Sequence, residues 1–181
     1  MKRLYALLFS LVFVLPGINS VFGQVSLLGT TTNCNDNQNI NLNYNIPAGT
    51  ANRGVFAIVS AEFLSANDIT GVTYGGNAMV RIGSGVGNNG VRQNGVYVYF
   101  LSEDQVQAAA SNSFDVTFAS NSGIRSACLT IEAYDNVDQA TPFEEISPAS
   151  TGSGNTVTPA PINASNGQIV SYASHGSTFQ V

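Results

Sequence analysis

Arg53-Gly54-Val55-Phe56-Ala57-Ile58-Val59-Ser60-Ala61-Glu62-Phe63 is the stretch on which the fold turns. Successive side chains of an extended chain point to opposite faces, and here both faces are apolar, as in the central strand of a sandwich. Val96 to Leu101 repeats that pattern. Phe114, Val116 and Phe118 alternate with Asp115 and Thr117, the pattern of a half-exposed strand. In Arg125 to Tyr134, Ala127, Leu129, Ile131 and Ala133 share one face, while Cys128, Thr130, Glu132 and Tyr134 share the other. Asp68–Tyr74 and Ala78–Ile82 read as two strands split by the turn residues Gly75-Gly76-Asn77. Gly83 to Gly90 reads as a glycine-rich loop. Ser102, with Gln105 three positions on, caps one short helix near 103–110. Amphipathic crossover helices are missing from the pattern, which excludes a parallel α/β sheet and leaves an all-β, antiparallel β-sandwich.

The most unusual local pattern lies upstream. Asn occupies positions 33, 35, 37, 39, 41, 43 and 45, alternating with Cys34, Asp36, Gln38, Ile40, Leu42, Tyr44 and Ile46. If residues 33–46 are extended throughout, Asn35, Asn37, Asn39, Asn41 and Asn43 form one amide row, with Ile40, Leu42, Tyr44 and Ile46 turned inward. Such a row is either the neutral outer face of a half-buried strand, a ladder for a repetitive ligand such as a polysaccharide, or an edge for stacking with another subunit.

Met1-Lys2-Arg3, the apolar run Leu4–Leu15 and Val21-Phe22-Gly23 have the layout of a secretory signal cut before Gln24. The run is too short to span a bilayer, so no membrane insertion is expected after cleavage. Residues 1–23 are thus a signal peptide, and 24–181 a single sandwich domain. The ending Phe179-Gln180-Val181, with no turn or polar tail, gives the expectation that the closing strands are truncated. Without the signal the chain has four arginines, no lysine and eleven acids, a formal charge of −7. That surface repels phosphate backbones and anionic headgroups, so nucleic acid is excluded as a partner. An exported chain with two cysteines is expected to join them, and a Cys34–Cys128 bridge would add on the order of 4–5 kcal/mol by chain entropy.

Taken together, 46–62 (IPAGTANRGVFAIVSAE), 69–83 (ITGVTYGGNAMVRIG), 95–101 (GVYVYFL) and 134–143 (YDNVDQATPF) resemble a bacterial secreted and surface module of uncharacterised function. The similarity covers about residues 46–160. It implies a jelly-roll-like β-sandwich, found beside lectin-like or adhesive domains, with no catalytic residues to carry over. One departure is Asn136, which stands where that pattern has glycine before Val137-Asp138-Gln139 and which also tolerates left-handed backbone.

Catalytic constellations are not visible in the residues. His175, the only histidine, lies in a Ser- and Gly-rich tail, and no nucleophile elbow accompanies it. Glu132, Asp135 and Asp138 fall three apart, which sends neighbours to opposite faces of a strand and argues against a glycosidase acid pair. Asp135, Asn136 and Asp138 either close turns onto their own backbone or contribute oxygens to a structural calcium, the only cofactor considered. Tyr97 and Tyr99 read as core, whereas Tyr74, Tyr99 and Tyr134 are the candidates for an aromatic platform under a sugar. The expected function is a non-enzymatic extracellular binding or adhesion module for a glycan or surface protein. The alternatives are a structural subunit that self-associates through strand edges, and an accessory domain cut from a polysaccharide-active enzyme.

Overall fold

A computed structural model describes residues 24–36, 40–88 and 92–143. Among these residues the chain forms nine strands and one short helix: β1 (Ser26–Asp36), β2 (Asn41–Asn43), β3 (Gly54–Phe63), β4 (Ile69–Tyr74), β5 (Asn77–Ala78), β6 (Val80–Asn88), β7 (Gln93–Leu101), α1 (Glu103–Gln107), β8 (Ser113–Phe118) and β9 (Ile124–Asp135). The strands make a five-stranded sheet A, ordered β1-β9-β3-β7-β6, and a four-stranded sheet B, ordered β2-β8-β4-β5. Every pairing is antiparallel.

The pairing is nested. β1 pairs β9, β2 pairs β8, β3 pairs β7, and β4 pairs β5. Only Met79 separates β5 from β6, so the chain crosses from sheet B to sheet A in one step. The whole is one long hairpin ribbon, and it rolls up because β3 also pairs β9 and β4 also pairs β8. That double use of the strands is the jelly roll, and it bears out the expected sandwich.

β3 sits mid-sheet, as its two apolar faces require. Val55, Ala57, Val59, Ala61 and Phe63 point into the inter-sheet core, where Ala127, Leu129, Ile131 and Ala133 of β9 join them. Sheet B answers with Val72, Tyr74, Phe114, Val116 and Phe118. Phe63 and Phe118 meet edge-on across the layers at 6.1 Å. Tyr97 and Tyr99 are core residues, 0% and 2% exposed.

The bridge is present: Cys34 and Cys128 are direct cross-strand partners, 4.0 Å apart at Cα, and tie the edge strand β1 to β9. The hairpin between β4 and β5 turns on Gly75 and Gly76, both at positive φ as its two central positions demand. In α1, the Gln105 side chain accepts from the Ser102 N–H at 3.1 Å, but the helix stops at Gln107 instead of running to 110.

Two expectations are corrected. Gly83–Asn88 is not a loop but the body of β6, because the β7 ladder holds a backbone of small residues extended on the sheet edge. Residues 33–46 are not one strand: β1 ends at Asp36, and Asn41–Asn43 belongs to the opposite sheet. The expected export signal at 1–23, and residues 144–181 with His175, lie outside the described residues. Among the described residues no helix is long and apolar enough to cross a membrane.

Candidate functional site

Crossing between sheets reverses the parity of the Asn row. In β1, Asn33 and Asn35 turn inward and are half-buried, while Cys34 and Asp36 face solvent. Asn33 donates from Nδ2 to the Asn41 carbonyl at 2.8 Å, stitching the two sheets at their shared side. In β2, Asn41 and Asn43 are exposed, whereas Ile40 is 1% exposed and Leu42 packs on the core. The continuous ladder of five amides is therefore not formed: Asn35 faces inward, Asn41 and Asn43 face outward, and Asn37 and Asn39 lie outside the described residues.

The outward pair heads a larger polar surface. Asn41 lies opposite Asp115, which lies opposite Thr73, and Asn43 lies opposite Ser113. The Ser113 hydroxyl donates to Asp115 Oδ2 at 2.9 Å. Asn112 Nδ2 donates to Asn45 Oδ1 at 3.0 Å, and the Thr70 hydroxyl donates to the Thr117 carbonyl at 3.1 Å. Amides, hydroxyls and one carboxylate thus cover the outer face of sheet B. The four arginines of the described chain lie elsewhere, and so do its exposed large apolar side chains, Leu27, Leu64, Val80, Val86 and Phe143.

The tyrosine platform is not formed. Tyr74 is 6% exposed and lies 4.4 Å from the Phe114 ring inside the core. The Tyr99 hydroxyl donates to the Ile69 carbonyl at 2.9 Å, and burial holds its pKa up to about 12, so it stays a donor. Tyr134 packs on the outer face of sheet A, and its hydroxyl donates to Glu132 Oε2 at 2.8 Å. On the same face the buried Glu62 of β3 meets Arg92 and, at 3.6 Å, Arg125. Each ring is enclosed by protein and none offers a face for a sugar.

A concavity of about 500 Å³ opens at one end of the sandwich between residues 48–53 and α1, lined by Arg53, Glu103, Asp104 and Gln107. Its walls are knotted by the segments that carry the family-like pattern. Arg53 grips Glu103 with Nε at 2.9 Å and Nη2 at 2.7 Å, and its backbone N–H donates to the same carboxylate at 2.7 Å. That grip holds the Glu103 carboxyl down to about 2. Gln139 accepts from the Glu103 N–H at 2.8 Å and donates to the Arg53 carbonyl at 3.2 Å. Asp135 accepts from the Thr50 hydroxyl at 2.6 Å and from the N–H groups of Thr50 and Ala51, which keeps its pKa below the usual carboxylate range. A Cβ on Gly49 would meet Asp135 Oδ1 at 2.5 Å, so only glycine admits this close approach.

Of the three Asx residues, Asp135 bonds across to the 50–51 loop, while Asp138 closes a turn onto its own loop. Asp138 accepts from the Ala140 N–H at 2.8 Å and the Thr141 hydroxyl at 2.9 Å. Asn136 adopts the left-handed backbone (φ 59) expected of a glycine substitute. The two carboxylates serve separate loops, and among the described residues no three His, Cys, Asp or Glu side chains converge as a metal site. The Arg53–Glu103–Gln139 knot escaped sequence reading, since its members are tens of residues apart; the one signal was the shared spacing of the NR and VDQ segments. Comparison with protein-family models, with curated proteins and with solved structures finds no match to this chain.

Proposed function

We propose that this protein is an extracellular, non-enzymatic binding module that takes a neutral, hydroxyl-rich polymer, a glycan, on the outer face of sheet B. The observation that carries the reading is the side-by-side exposure of Asn41, Asn43 and Asp115, with half-buried Ser113 beside them, on an antiparallel sheet face. Amides and hydroxyls offer both donors and acceptors to sugar hydroxyls, and without cations or apolar groups the face gives no grip to phosphate or lipid. A signal-like 1–23 segment and a Cys34–Cys128 bridge, which an oxidising compartment favours, support a location at a bacterial surface or beyond it. A glycan array probed with residues 24–181 tests this: binding to neutral polysaccharides that Asn41→Ala/Asn43→Ala abolishes is expected, and a blank array across plant, algal and bacterial glycans overturns it.

Assembly through strand edges is favoured by a different observation. Sheet A ends on long edge strands, eleven residues in β1 and nine in β6, and unpaired ladder groups of that length template further strands. A protein that stays monomeric at high concentration in sedimentation removes this second reading.

A further inference from the structure

β1 and β9 lie side by side in sheet A, yet they are held in different ways. Ala127, Leu129, Ile131 and Ala133 of β9 are fully buried, and β9 is also paired along its length to β3. No residue of β1 is fully buried. Its inward side offers Thr31, Asn33 and Asn35, all half-buried; of its apolar side chains, Leu28 packs on the main core and Leu27 is 54% exposed. The other ties are local. Asn33 donates to the Asn41 carbonyl at 2.8 Å, the Thr32 and Thr130 hydroxyls share a bond at 3.0 Å, and Tyr44 lies against Gly29. Polar groups on the inward side gain little from burial, and a segment with few buried apolar contacts opens on its own at low free energy.

What β1 lacks in burial the Cys34–Cys128 bridge supplies. It fastens β1 to β9 near the end of β1, on the solvent side of the sheet, and Cys34 is exposed. An accessible sulfur is open to attack by a thiolate. Because β1 is an edge strand whose one sheet neighbour is β9, it can leave without breaking any other pairing in sheet A. We infer that the bridge is a redox latch and that β1 is the strand it releases. A dithiol reductant supplies the electrons. One of its thiolates attacks Cys34 Sγ, the S–S bond breaks, and Cys128 leaves as a thiolate that takes up a proton. The second thiol of the reductant then displaces Cys34 from the mixed disulfide, giving up its proton to it and closing the reductant into a disulfide. With the latch open, the β3–β9 pairing stays, and the β9 edge from Ser126 to Asp135 offers its freed N–H and C=O groups to an added strand.

Amide hydrogen exchange on residues 24–181, before and after treatment with dithiothreitol, tests the inference. Reduction is expected to speed exchange of the β1 amides by about 100-fold while those of β3 and β7 keep their protection. Cys34→Ala/Cys128→Ala, untreated, should show the same pattern. β1 amides that stay protected after reduction overturn the inference. So does loss of protection throughout β3 and β7, because the bridge is then a staple of the whole domain. Access to the sulfur is a second check: the oxidised protein in native buffer should be reduced within about tenfold of its rate in denaturant. Reduction that waits for global unfolding contradicts a latch.

Discussion

Arg53 and Glu103 are both mostly withdrawn from water, their side chains 16% and 14% exposed, and the pair is bidentate. Charge-assisted bonds of this kind are stronger than neutral ones, and losing one partner strands the other. The Glu103 carboxyl falls from its ordinary value of 4.5 to about 2 in the fold, so its contribution is present above about pH 4.5 and is lost as pH falls toward 2. Glu103→Gln is expected to cost about 2 kcal/mol at neutral pH. It should also flatten the stability loss between pH 4.5 and 2; urea melts across that range check both, and an unchanged acid limb contradicts the assignment. Gly49→Ala forces a methyl onto Asp135 and should cost about 2 kcal/mol in the same melts. Calcium belongs at this scale too. With Asp135 and Asp138 spent on Thr50, Ala51, Ala140 and Thr141, the melting temperature should not move with chelator or added calcium, and a rise on adding calcium would count against the turn reading.

At the scale of elements, β8 and β9 were legible in the sequence because alternation along a strand reports burial directly, and β3 and β7 because apolar residues on both faces mark a central strand. The 33–46 segment misled because alternation says nothing about where a chain changes sheet: the Asn periodicity continues across the break, while its facing inverts between β1 and β2. β6 was misread because Gly83, Gly85 and Gly87 carry no propensity for strand, and its ladder comes wholly from β7. The bridge between β1 and β9 was foreseeable as a pair of cysteines, though not as directly opposed residues. It closes a separation of 94 residues and holds a strand that hydrogen-bonds to β9 alone within its sheet. Cys34→Ser/Cys128→Ser should therefore lower stability by about 4 kcal/mol in urea melts, and a negligible change would show that β1 needs no tether.

For the whole molecule, nested pairing rolls one ribbon into two sheets whose outer faces differ in chemistry. Sheet B presents amides, hydroxyls and a carboxylate; sheet A presents threonines and a disulfide, a small apolar cluster around Phe56 and Phe100, and Glu62 with Arg92 and Arg125. The candidate site was half legible: Asn41 and Asn43 stood out in the sequence, while Ser113, Asp115 and Thr73 became part of the surface only through β8 and β4 pairing. Tyr97 and Tyr99 were legible as core, but the burial of Tyr74 and Tyr134 was not, because the chain pattern does not show which rings the rest of the fold will cover. Chemical-shift mapping by NMR, with residues 24–181 titrated by the strongest neutral oligosaccharide from the array, tests the proposed surface most directly. The account predicts perturbations concentrated on Asn41, Asn43, Ser113, Asp115 and Thr73; perturbations confined to residues 48–53 and 103–107, or to sheet A, would contradict it.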